Sequence, residues 1–67
     1  MRTRGAEIRR RRELAGHGLR NFAAQVDISA SHLSRLERDL RGAQPEVVRR
    51  IADKLNAAVS DIADLST

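Results

Sequence analysis

The sequence predicts an all-α fold, one compact domain of five short helices. Apolar residues recur at spacings of three and four, as in Val48, Ile51, Ala52 and Leu55, which is the period of a helix face. Gly16-His17-Gly18, Asp27, Asp39 and Pro45 punctuate the chain where such faces end or begin. No segment reads as a strand. At 67 residues, the chain is too short for two domains.

Residues 1–5 are expected to form a flexible basic arm carrying Arg2 and Arg4. A first helix is expected over 6–15, stopped by the glycine cluster. Ile8, Arg11, Arg12 and Ala15 share one stripe of it, so Arg11 is expected to lay its stem on the core and keep its head in water. A second helix starts at Gly18 or Leu19 and runs to Val26; Phe22, Ala23 and Val26 face inward, and Leu19 extends that face. Asp27 tolerates the left-handed conformation of a turn, Ile28 plugs back towards the core, and Ser29 stands where an N-cap belongs. The third helix, about 30–38, buries Leu33 and Leu36. After the loop Asp39-Leu40-Arg41-Gly42, Pro45 and Glu46 open a fourth helix that Asn56 ends, with Arg49, Arg50 and Asp53 outside. A fifth, about 59–65, carries Val59, Ile62 and Leu65, with either Ala58 or Ser60 as its cap. The expected core is Ile8, Ala15, Phe22, Ala23, Val26, Ile28, Leu33, Leu36, Val48, Ile51, Ala52, Leu55 and Ile62.

A domain this small buries only about 60% of the surface its unfolded chain exposes. With no cysteine, no disulfide or thiolate metal site adds to that. Neither a signal peptide nor a membrane span is recognisable, which leads us to expect a soluble cytoplasmic protein. The net charge is +4, and it is uneven. Residues 1–20 carry seven arginines against Glu7 and Glu13, whereas residues 42–67 are slightly acidic. A basic end suggests a polyanionic partner, nucleic acid first. Phe22 is the only aromatic residue, so stacking platforms for single strands or RNA are not available.

The stretch Phe22–Arg38, FAAQVDISASHLSRLER, reads as two short helices with a tight turn between them. Its second helix buries one edge and offers small polar and basic groups on the other. In this it resembles the Cro and phage-repressor type of helix-turn-helix, the xenobiotic-response-element family, over nearly the whole chain. The resemblance implies a lambda-repressor-like DNA-binding domain over 6–67, with the helix-turn-helix at about 19–38. It also implies that Arg12 pairs with Glu37 late in the reading helix. Three positions depart from the family pattern. Arg11 stands where leucine is usual, Gly18-Leu19 replaces a Ser/Thr-Gln pair whose glutamine touches DNA, and Asp39 replaces a common glycine.

A reading helix enters the major groove by its N-terminal end. With Leu33 and Leu36 committed inward, Ala30, Ser31, Ser34 and Arg35 are the expected base readers. Arg35 is the strongest, because its fork can take both guanine acceptors. Arg20, Asn21, His32, Arg38 and Arg41 are the expected phosphate contacts. The function implied is a sequence-specific, double-stranded DNA-binding transcriptional regulator, of the repressor kind. The alternative is a protein-binding module of the same fold, such as an antitoxin or adaptor. No catalytic constellation is present: His17 and His32 lie fifteen apart without clustered carboxylates, so neither an enzyme nor a metal, cofactor or small-molecule site is expected. A homodimer through the fifth helix and tail, by Ile62 and Leu65, is the expected oligomer.

Overall fold

The computed structural model describes residues 1–64. Its elements run β1 (Arg2–Thr3), α1 (Gly5–Leu14), α2 (Leu19–Gln25), α3 (Ala30–Glu37), α4 (Pro45–Leu55), α5 (Val59–Ile62) and β2 (Ala63–Asp64). Helix α1 packs on α3 and α5, α2 on α3, and α4 on α5. Phe22 lies fully buried among Ile8, Leu33, Leu36, Ile51, Ile62, Val26 and Val48. A single large ring therefore fills the centre, and leucine, isoleucine and valine close around it.

Local chemistry accounts for most of the helix ends. Ser29 Oγ accepts from the His32 N–H at 3.0 Å, satisfying one of the unpaired donors at the start of α3. Pro45 occupies the first turn of α4, where its missing N–H costs nothing. Asn56 ends α4 in the left-handed region, with φ of 54°. At α5 the cap position falls to Ala58, which has no side-chain acceptor. The Asp61 carboxylate instead accepts from the Ala58 N–H at 3.0 Å.

The chain ends depart from the sequence-based expectation. The segment expected as a flexible arm is paired: Arg2 faces Asp64 and Thr3 faces Ala63 in an antiparallel register. Arg4 N–H then donates to Ile62 at 2.7 Å, and Ala43 N–H donates to Met1 at 2.9 Å. Accordingly α5 stops at Ile62 rather than near 65, because Ala63 turns extended to meet the first strand. Leu65, expected on the fifth helix and at a subunit interface, lies outside the described residues. Ile62, its expected companion, is fully buried within its own chain. That removes it as an interface residue.

The core also differs at its rim. Ala15 is exposed, since α1 ends one residue earlier and Ala15 caps it. Ile28 and Leu55 are only partly buried against the core, whereas Ala43, Val47 and Ala63 join it. Ala43 lies in the α3–α4 loop and Ala63 in the paired ends, where helix periodicity gives no signal, whereas Val47 widens the buried face of α4.

Candidate nucleic-acid interface

The turn between α2 and α3 sets the angle of the second helix. Asp27 takes a left-handed φ of 61°. The Ile28 N–H donates to the Ala23 carbonyl at 3.0 Å, closing α2 before α3 begins. Helix α4 adds a bond that periodicity does not reveal: Arg50 Nε donates to the Val26 carbonyl at 3.0 Å. Arg50 was expected outside. It is half-buried instead, a cation on the C-terminal carbonyls of α2, where the helix dipole favours it.

Helix α3 is held from behind by α1 at two points. Arg12 donates through Nε to Glu37 Oε2 at 2.6 Å and through Nη2 to Oε1 at 3.0 Å. A third donor, Nη1, reaches the His17 carbonyl at 2.9 Å. Both side chains of the pair are shielded, at 8% and 5% exposure. The hydrogen bonds to Glu37 raise the Arg12 pKa above its ordinary value against the opposing effect of burial, so the guanidinium keeps its charge.

The second point is where α3 ends. Asp39 adopts a left-handed φ of 59°, and its Oδ1 accepts from the Gly5 N–H at 2.9 Å. One side chain thus makes the turn after α3 and caps the start of α1. Glycine at 39 would make the turn but not the bond. Gly5 itself is required: a Cβ there would collide with the carbonyl oxygens of Leu36 and Glu37.

Held in this way, α3 turns Leu33 and Leu36 inward and leaves a shallow groove on its outer side. Ala30, Ser31, Ser34 and Arg35 all line it, together with Arg20, Arg38 and Leu19. Ser31 and Arg35 are exposed; Ala30 and Ser34 are half-buried. His32 and Arg41 lie elsewhere, in a neighbouring depression with Met1, Gly42, Ala43 and Gln44. Asn21 is exposed on α2 and lines neither. The residue that sequence reasoning missed is Leu19. Its spacing before Phe22 marks it as core, and it does pack partly there, but the same side chain forms part of the groove wall.

Charge is sorted between the two sides of the fold. On α1, Arg9 pairs with Glu13, Arg10 and Arg11 with Glu7, and Arg12 with Glu37. Arg11, expected to sit with its head in water, bonds Glu7 at 2.7 Å and approaches Asp61 to 4.0 Å. Hydrogen bonds from Arg10, then Arg11, pull the Glu7 pKa down to about 2. Much of the basic charge at the chain start is therefore neutralised in place. Among the described residues, the carboxylates form no ion pair with Arg20, Arg35, Arg38 or Arg41. No group of three or more His, Asp or Glu there could hold a metal ion, and no helix is long and apolar enough to cross a membrane.

A small helical unit that presents one eight-residue helix, apolar behind and polar and basic in front, is a helix-turn-helix module. The chain belongs to the helix-turn-helix domain family, which it matches over residues 5–65. Among solved structures it is similar to the clp gene regulator ClgR from Corynebacterium glutamicum, at 33% identity and a TM-score of 0.80. That likeness covers 85% of this chain and 61% of the other, so the chain spans about three fifths of that relative. It is also similar in fold to SinR of Bacillus subtilis, described as the master regulator for biofilm formation and solved in complex with DNA. There the identity is 24% and the TM-score 0.78, covering 84% of this chain and 90% of the other. Among curated proteins the chain has no significant match.

Proposed function

We propose that this chain is a sequence-specific reader of double-stranded DNA in a transcriptional regulator, of the repressor kind, with α3 in the major groove. The observation that carries this reading is the groove itself. Four short or forked side chains, Ala30, Ser31, Ser34 and Arg35, share it with Arg20 and Arg38, and these guanidiniums have no carboxylate partner among the described residues. Arginines that keep their charge uncompensated by the described carboxylates, beside a polar helix face, suit phosphates flanking a run of base edges. The ClgR likeness supports a gene-regulatory role.

In this reading Arg20, Asn21 and Arg38 grip phosphate on one flank of α3, and His32 and Arg41 grip it on the other. The chain acts without cofactor or catalysis. The test is selection of bound duplexes from a random pool, followed by affinity across a salt series. A recovered consensus, with log affinity falling linearly in log salt, is the expected result. Retention of no duplex even at low salt would overturn it in favour of the protein-binding module.

A further inference from the structure

Leu19 and Ala30 are the first residues of α2 and α3, and both line the groove that also holds Arg20, Ser31 and Arg35. Both are half-buried and rest on the core, so neither can swing away from the groove wall. At the leading end of an otherwise polar surface, these two side chains leave an apolar spot with no donor or acceptor. Against the major-groove edge of DNA, such a spot can recognise one kind of feature. Hydrogen-bonding base edges would lose water there without compensation, whereas a methyl group gains by leaving water.

Resting on the DNA-reading assignment above, we propose that Leu19 is a specificity-determining residue and forms with Ala30 a seat for a pyrimidine 5-methyl group. The preferred site then carries a thymine at the step that the leading ends of α2 and α3 face. Uracil, which differs from thymine only in lacking that methyl, is discriminated against at this position. Cytosine gains when it carries a 5-methyl group.

The experiment uses the unaltered chain and its selected duplex, with each thymidine replaced in turn by deoxyuridine. Burying one methyl is worth about a fourfold change in affinity. One position should therefore lose about fourfold, while thymidines elsewhere in the site are indifferent. In Leu19→Gln, which places an amide in the seat, that single loss should disappear. Because the deoxyuridine series needs no substitution in the protein, it reads the seat even if Leu19→Gln folds poorly. A selected site with no thymine at that step overturns the proposal, as does indifference to deoxyuridine throughout. A methyl dependence that survives in folded Leu19→Gln also overturns it. In all three cases the chain still discriminates its site, so the DNA-reading assignment stands. Failure to prefer any duplex over random DNA would remove both.

Discussion

Arg12 and Arg35 are the same residue type put to opposite uses, and burial decides between them. Arg12 is shielded and meets Glu37 through two hydrogen bonds. Removing one partner leaves an uncompensated buried charge, so Glu37→Ala is expected to cost about 3–5 kcal/mol. In a cycle of Arg12→Ala, Glu37→Ala and the double variant, chemical denaturation should show strong non-additivity. Small, additive losses would mean that the pair is solvated in solution. Arg35 is exposed on the groove, and its removal leaves nothing stranded. Arg35→Ala should therefore leave the melting temperature nearly unchanged. On the preferred duplex it should cost about 1–3 kcal/mol of binding and relax preference at one G·C pair. Equal weakening at every base would make Arg35 a phosphate clamp instead. Asp39 belongs to neither group. Because it combines a left-handed turn with the cap of α1, Asp39→Ala should lose about 1–2 kcal/mol of stability, while Asp39→Asn keeps both features and most of the stability.

At the scale of the elements, α1 has little apolar surface and compensates by charge. Gly5, Ile8 and Arg12 are its buried residues. Its outer positions are tied by Glu7 to Arg10 and Arg11, and Arg11 leans on to Asp61 of α5. A carboxyl whose pKa is lowered on folding stabilises fully above its unfolded value and loses that contribution as pH falls through the folded one. For Glu7 the window runs from its ordinary range, about 4.5, down to about 2. The melting temperature of Glu7→Gln should thus lie below that of the unaltered chain at pH 7, and the two should converge towards pH 2. Convergence already complete near pH 5 would show that the two arginines do not hold Glu7 in solution. The legibility of the sequence follows the same division. Helices with a dense apolar face, α3 and α4, could be read from spacing, and so could Asp27, Ser29 and Asn56, because turn and cap chemistry is local. The terminal strand pair, Arg50 on Val26, and Asp39 on Gly5 join residues 24 to 62 positions apart, and no periodic signal records them. Leu19 was read only in half, for a different reason: its spacing marks it correctly as part of the apolar face, without saying that it also faces a groove.

For the whole molecule, the limiting quantity is how much sequence one copy can read. An eight-residue helix is about 12 Å long, and with 3.4 Å per base step it spans about four base pairs. The body measures 30 × 22 × 19 Å and presents one such helix, so a single copy covers little more than a half-site. Four base pairs cannot single out one location among the roughly 10⁶ or more competing sites of a genome. Two copies reading half-sites about one DNA turn apart, roughly 34 Å, would square that discrimination. With Ile62 committed to the core, α5 offers such a contact, among the described residues, only half-buried Val59 and Asp61 and exposed Ser60, too little to hold a dimer without help. The expected behaviour is therefore a chain that is monomeric when free and pairs on its operator. Analytical ultracentrifugation should give one chain free and two per selected duplex, and the selected site should be an inverted repeat. Halving the repeat should then weaken binding much more than removing a single base contact does. A single asymmetric site holding one chain at full affinity would refute the pairing and assign the missing discrimination to contacts outside α3.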